Sequence, residues 1–468
     1  MTIPLTIALL TYNRAQYLKE SLQAIIDQTY RDFELLVLDN GSTDDTPHVV
    51  LSFKDERLRY VRNPPGYTAM FNFLSAVRIA RGDRILVTHD DDIMEPDMLE
   101  RQMATIKIRP DITAIWTNAS VIDEQGRTLQ SSISPPGNDR IYEIGEYISS
   151  TTEAILWHPP SSMIFSHRLL SEKHLRNMYI GSPGLSRRRA TDEGDQILPA
   201  QMNISGAVVF LSNPLLRYRR HTGQETTNAH LAKTALNLFR ALLRIARKTP
   251  HAQEHEPIFQ NQIIRFQAQD LVMNAKGKIP SQAILKRLNI LLEKGISNAQ
   301  SNPRALCYLL PLIVLLLQTK TGNAASVALN HIETSHTQTR QWMLALHRWA
   351  EYRRNGGNIF SQLPQGSRVA ILGSVFIAAI LLIEAKEAGV SIVCCLDSNT
   401  RRQGQTWFGV PIVSHSWLAT RDTSIDFILL SSERDSEDEL ERTLRLHDAM
   451  IPVASWKKIA SEAGNTTR

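Results

Sequence analysis

Apolar residues follow two rhythms along this chain, and the rhythm changes twice. From Ile3 to about Tyr218, short apolar runs alternate with stretches of helical period. Ile7-Ala8-Leu9-Leu10 precedes an amphipathic stretch from Ala15 to Gln28, and Phe33 to Leu38, Leu58 to Val61 and Arg84 to Val87 repeat the theme. Short apolar strands separated by helices predict βαβ units and a mainly parallel sheet, whose ligands gather at the carboxyl ends of the strands. From about Thr226 to Arg354 the period is helical throughout, punctuated by Pro280, Gly295, Pro303 and Gly322. Asn355-Gly356-Gly357-Asn358 opens a connector that Pro364-Gln365-Gly366 closes. Strand patterns then return at Arg368 to Leu372, Ser391 to Leu396 and Asp426 to Leu430, with a long apolar helix after the first. The expectation is an α/β chain in three parts: residues 1–225, a helical region and linker over 226–360, and a second, small α/β domain over 361–468.

Length and composition narrow the class. At roughly 100–200 residues per domain, 468 residues fit two to four domains. Hydrophobic content of 43% and charged content of 21% describe a globular protein, and exclude a mostly disordered chain or a polytopic membrane protein. The net charge of +5 is small for this length. It permits an anionic substrate or an acidic membrane surface and gives no reason to expect nucleic acid. Three cysteines, two of them adjacent, make neither a disulfide framework nor a zinc site. The longest apolar run, Ala305 to Leu317, is interrupted by Pro311 and falls short of the ~20 residues a membrane span needs, so it reads as a buried helix. No signal peptide is readable at the N-terminus. A cytoplasmic location is expected.

Four polar segments flank the apolar runs of the first part: Thr11-Tyr12-Asn13-Arg14, Asp39-Asn40-Gly41-Ser42-Thr43-Asp44, His89-Asp90-Asp91-Asp92 and Asp192-Glu193-Gly194-Asp195. Three adjacent aspartates at a strand end repel one another unless a cation sits among them. A hard divalent ion held by carboxylates and substrate phosphates would resolve this and neutralise a departing diphosphate. The competing reading is a solvated acidic loop in which Asp92 caps a helix starting near Met94. In the Asp39 segment, Asn-Gly marks a tight turn and Ser-Thr-Asp a helix start. Its first carboxylate can accept a base N–H while the turn amides face phosphate or ribose; an ordinary strand-to-helix turn is the alternative.

The order of these motifs, with Asp-Ile-Met-Glu-Pro-Asp following the triple, resembles the family 2 glycosyltransferases of the GT-A fold over roughly residues 3–222. The resemblance implies a nucleotide-sugar donor, commonly linked to uridine diphosphate, and an acceptor hydroxyl on a saccharide, a lipid-linked sugar or a protein. It implies an inverting transfer assisted by Mg²⁺ or Mn²⁺, in polysaccharide, lipopolysaccharide or glycoconjugate assembly. Thr11, Tyr12, Arg14 and Asp39 would hold base and ribose, with Asn40 and Ser42 in the same loop and Asn72 on the helix under the donor. Aligned on Asp92-Ile93, the first metal aspartate of the family falls on His89, leaving Asp91 as the surest ligand. Aligned without a shift, Asp90 and Asp92 form the motif. The expectation is Asp91 with Asp92 on the metal and Asp90 beside the donor. Asn40 stands where many relatives carry a further aspartate. Glu193 or Asp192 would be the catalytic base, within about 2.6–3.2 Å of the acceptor hydroxyl, and Asp195 would position the loop. Arg219 and His221 resemble the Arg-x-His ending near the donor diphosphate, and Trp157 to Ser162 the acceptor side.

Beyond that region, Leu231 to Lys248 has one apolar face and several basic residues. It suits either a helix packed on its own domain or peripheral contact with an anionic membrane at its inner face. The last part resembles Rossmann-like domains attached to bacterial sugar-modifying enzymes. Asp397 follows Gly373 at about the spacing of a ribose-binding acid, roughly 20 residues. Gly373-Ser374-Val375-Phe376-Ile377-Ala378 lacks the further glycines that let a backbone approach a pyrophosphate. A non-catalytic, interaction or regulatory role is therefore expected. Two rival functions are a non-catalytic sugar-nucleotide-binding scaffold or sensor, and a nicotinamide-dependent enzyme working through the last part.

Overall fold

The computed structural model describes residues 3–65, 69–135, 137–153, 159–170, 194–221, 231–274, 281–319, 323–332, 340–364, 366–373, 376–397, 402–420, 424–433, 437–445 and 450–463. It divides into two compact units, residues 1–224 with 240–252, and 225–239 with 253–468.

The first unit is built on a ten-stranded sheet. Strands β1 (Leu5–Thr11) and β2 (Phe33–Asp39) are buried along their whole length, the signature of parallel strands covered on both faces. With β3 (Leu58–Arg62) and β4 (Arg84–His89) they form a parallel block ordered β3-β2-β1-β4. The sheet then turns mixed. β9 (Ile164–Ser166) runs antiparallel between β4 and β6 (Ile112–Ile122), and β10 (Ala207–Arg219) pairs parallel with β6. β5 (Ile93–Met94) pairs antiparallel with the end of β10, and the short β7 (Thr128–Gln130) and β8 (Arg140–Tyr142) flank β6 and β10. Helix Ala15–Ile26 buries Leu18, Leu22 and Ile25 against the β1–β2 face.

Two expectations change. Ile93-Met94 is a strand, and the next helix starts only at Met98 after Asp97, so Asp92 is no helix cap. The run from Ala305 to Leu317 is two elements, a 3₁₀ helix Pro303–Leu309 and an α-helix Leu310–Leu317. Pro311 has no N–H to give, so it sits at least cost in a first helical turn, and the α-helix begins just ahead of it.

In the second unit a six-stranded sheet runs β13 (Thr406–Trp407), β14 (Val410–Val413), β12 (Ser391–Leu396), β11 (Arg368–Leu372), β15 (Phe427–Leu430), β16 (Val453–Ser455), parallel except for β13 against β14. Side chains alternate between its faces. Val369 and Ile371 join a core shared with helices Leu310–Leu317 and Gln341–Arg354, while Ala370 and Leu372 face a smaller one. The expected boundary at 360/361 lies inside the larger core. Glu384 of helix Phe376–Glu387 fastens it: buried, it accepts from Gln318 Nε2 (2.8 Å), Trp349 Nε1 (2.7 Å) and the main-chain N–H of Ile359 (2.7 Å). Burial pushes its carboxyl up to about 7, against the pull of Arg353 and these donors. Helix Leu231–Ala246 buries Leu238, Leu242 and Ile245, and Arg240 and Arg244 are exposed, as are Arg247 and Lys248 after its end. Among the described residues no helix is long and apolar enough to cross a membrane.

Candidate active site at the carboxyl edge of the first sheet

Three parallel strands end side by side in polar residues: Thr11 of β1, Asp39 of β2 and His89 of β4. Their loops are tied together by main-chain groups that the strands leave unpaired. Asn13, in the left-handed region at φ 51° where asparagine is tolerated, donates its N–H to Ser42 Oγ (2.9 Å) and accepts at Oδ1 from the N–H of Thr43 (2.7 Å). Asp44 accepts from Ala15 N (3.0 Å), at the start of the first helix. Gly41, at φ 81°, packs so close that a Cβ there would lie 2.8 Å from Pro65 Cα. Asp39 is fully buried; it accepts from Ser42 N (2.7 Å) and Tyr60 Oη (2.7 Å), with Arg62 Nε at 3.5 Å. Burial and this carboxylate hold the Tyr60 phenol well above its usual range. Asn72 braces the loop from below, donating to Leu38 O (3.2 Å) and accepting from Asn63 Nδ2 (2.7 Å). Tyr12 stands out from this edge, 54% exposed.

The acidic triple is buried, and its carboxyls point three ways. Asp90 accepts from Tyr12 N (3.2 Å) and Arg14 (3.3 Å), fixing the first loop. Asp91 Oδ2 accepts from Arg14 at 2.6 Å and lies 3.0 Å from His221 Nε2. Asp92 accepts from Ser161 Oγ (2.5 Å) and from the N–H of Arg219 (3.0 Å). Burial, and next the charge of Asp91, push Asp90 up to about 6 and Asp92 up to about 7. Burial acts upward on Asp91 too, but the His221 hydrogen bond and the charges of His89, Arg14 and His221 outweigh it and hold Asp91 below the usual range. The middle carboxylate is therefore the most readily ionised of the three, and a cation beside them would favour the ionised form of the other two. Ligand atoms of His89, Asp91 and Asp92 lie within 4.8 Å of one another. A divalent ion fits this donor set.

Sequence reasoning placed Arg219 and His221 together at the donor diphosphate, and the structure separates them. Arg219 is buried. Its guanidinium donates to the main-chain oxygens of Asp91 (2.9 Å), Asp123 (3.2 Å) and Glu124 (3.1 Å) and to Glu20 (2.6 Å), and it packs over the Tyr17 ring. It props the triple from behind. His221 meets the Asp91 carboxylate itself and the Tyr17 ring. Thr11, Tyr12, Arg14, Asp39, Asn40, Ser42, Asn72 and the triple share one edge; Asp192 and Glu193, like Trp157 and His158, lie outside the described residues. Sequence reasoning missed two members. His89 was read only as a break in the motif, and Ser161 only as part of an acceptor strand. The visible signal was a histidine directly ahead of three aspartates.

A parallel block that passes into a mixed sheet, with interlocked turn loops and an aspartate-rich loop at its carboxyl edge, defines a GT-A fold. Residues 6–189 match the family model described as Glycosyl transferase family 2. An uncharacterized glycosyltransferase of Methanocaldococcus jannaschii is 30% identical over 171 residues, covering 36% of this chain and 57% of that protein. Glycosyltransferase GlyG of Streptococcus pneumoniae is 26% identical over 227 residues, covering 45% and 69%. The matched segment thus spans little more than half of the archaeal relative. The crystal structure of S. aureus TarS 1-349 in complex with UDP-GlcNAc aligns at TM-score 0.47 and 15% identity, covering 76% of this chain and 93% of that one. Residues 6–189 of the first unit are thus similar to the family 2 glycosyltransferases.

Proposed function

We propose that this protein transfers a sugar from a nucleoside diphosphate, by preference uridine diphosphate, to an acceptor hydroxyl with inversion at the anomeric carbon. The single observation that carries this reading is the union of three loops around Asp91. The nucleotide-facing loops after β1 and β2 are bound to each other through Asn13, and the first is bound to the acidic triple through Arg14. In this reading Tyr12 stacks on the base, Asp39 and Ser42 shape the base and ribose pocket, and Asp90 holds the first loop. Asp91 and Asp92 hold Mg²⁺ or Mn²⁺, which when bound neutralises the leaving diphosphate. Arg14 and His221, which balance Asp91 in the structure, face phosphate oxygens once a donor is seated. Asp192 or Glu193 takes the proton of the acceptor hydroxyl as it attacks, so no glycosyl-enzyme bond is needed.

The acceptor is a saccharide, lipid-linked sugar or protein hydroxyl of glycoconjugate assembly. Three buried free cysteines suit a reducing cytoplasm. The exposed cationic residues from Arg240 to Lys248 suit approach to an anionic membrane face. The second unit is proposed as a Rossmann-like interaction or regulatory module. Hydrolysis of a panel of nucleotide sugars with Mn²⁺ tests the main reading. The wild-type chain should turn over at least one uridine donor, and Asp91→Ala should lose at least 10³-fold of that rate. Donor binding with no metal-dependent turnover would instead make the protein a sugar-nucleotide scaffold.

A further inference from the structure

We infer that His89 is a nitrogen ligand to the divalent ion, and that this makes the site take Mn²⁺ in preference to Mg²⁺. The inference rests on the metal-assisted reading of the site and goes beyond it, to the identity of the ion. His89 ends β4, and its ring shares the small volume in which Asp91 and Asp92 offer their oxygens, all three ligand atoms lying within 4.8 Å. Neighbouring groups decide which ring nitrogen is available. The single proton of Ser161 is committed to Asp92, at 2.5 Å. The hydroxyl oxygen then accepts, from the main-chain N–H of His89 at 3.3 Å and from its Nδ1 at 3.4 Å. That pattern keeps the proton on Nδ1 and leaves the lone pair on Nε2, and a histidine ligand is ordinarily oriented through its other nitrogen in this way.

The same hydroxyl therefore orients two of the three ligands. Asp92 is steadied on its other oxygen by the N–H of Arg219 (3.0 Å). The resulting set is one imidazole and two carboxylates. Mg²⁺ prefers oxygen ligands and retains its waters, whereas an imidazole nitrogen suits first-row transition metals. One aspartate fewer on the ion also lowers the negative charge around it, which weakens a purely ionic partner most.

The test is Mn²⁺ added to the full chain and followed by pulsed electron paramagnetic resonance, with Mg²⁺ as competitor. The expected result is ¹⁴N modulation from a directly bound nitrogen, with Mn²⁺ bound at least roughly tenfold more tightly than Mg²⁺. His89→Asp should still bind Mn²⁺, lose the modulation and bring the two ions within a few-fold. His221→Gln should keep the modulation, which separates His89 from the other nearby imidazole. Mn²⁺ bound to the wild-type chain without ¹⁴N modulation, or an unchanged ion ratio in His89→Asp, overturns the assignment of His89 while leaving an oxygen-only metal site intact. Failure of both wild type and His89→Asp to bind Mn²⁺ overturns this inference together with the metal-assisted reading.

Discussion

The two units each end parallel strands along one edge, and the edges differ in what the strands end with. In the first, Thr11, Asp39 and His89 close three strands, and the loops beyond them carry charge that only partly cancels. In the second, Leu372, Leu396 and Leu430 close β11, β12 and β15. Among the described residues just past that edge, Asp397 pairs with Arg402 at 3.3 Å and Glu433 with the buried Arg265. Sheet topology offers a place for a ligand in both. The residue at the strand's last position decides whether buried charge is left waiting for one.

Breaking the first edge from behind should have the largest effect. Arg219→Met removes the guanidinium's hydrogen bonds to three main-chain oxygens, of which Asp123 O keeps the N–H of Gly126, and removes the cation beneath the triple. A loss of about 3 kcal/mol or more in urea unfolding is expected, with donor turnover falling alongside. Unchanged stability would mean that the buried guanidinium is dispensable to the first unit.

Glu384 is the counterpart in the second unit, a buried carboxylate with Arg353 at 3.8 Å. Its folded value of about 7 lies above the ordinary 4.5, so the folded state keeps a proton that the unfolded chain has released. The contribution is present in full below about pH 4.5. It is lost as pH rises through 7, on the order of 3 kcal/mol. Denaturant midpoints of the second unit between pH 4.5 and 8 should fall accordingly, and Glu384→Gln should flatten the slope. The smallest effect is expected at Gly373, where φ is 101° and a Cβ would sit 2.7 Å from Ser431 Oγ. Gly373→Ala should cost about 1–3 kcal/mol and leave donor turnover untouched. A matching loss of turnover would join the two units functionally.

Legibility in the sequence followed from how local the cause was. β1, β2 and β11 were readable because a strand buried on both faces is a mostly apolar run, and β12 because all but its first residue is apolar. The donor-side loops were readable because turn residues and aspartates sit together in sequence. The inward turn of Arg219 was not. An Arg-Tyr-Arg-Arg-His string looks the same whether a guanidinium faces a diphosphate or the back of a loop, and only Glu20, Asp123 and Glu124 settle it. His89 was misjudged for a related reason: its meaning comes from Ser161, a partner far away in sequence.

Arg219 also sets an order of events during synthesis. Every loop of the donor edge has left the ribosome long before residue 219 appears, yet the prop beneath the aspartates arrives with the last strand of the sheet. A nascent chain halted before that strand would carry the loops after β1, β2 and β4 without the guanidinium that props the acidic triple and without His221 beside Asp91.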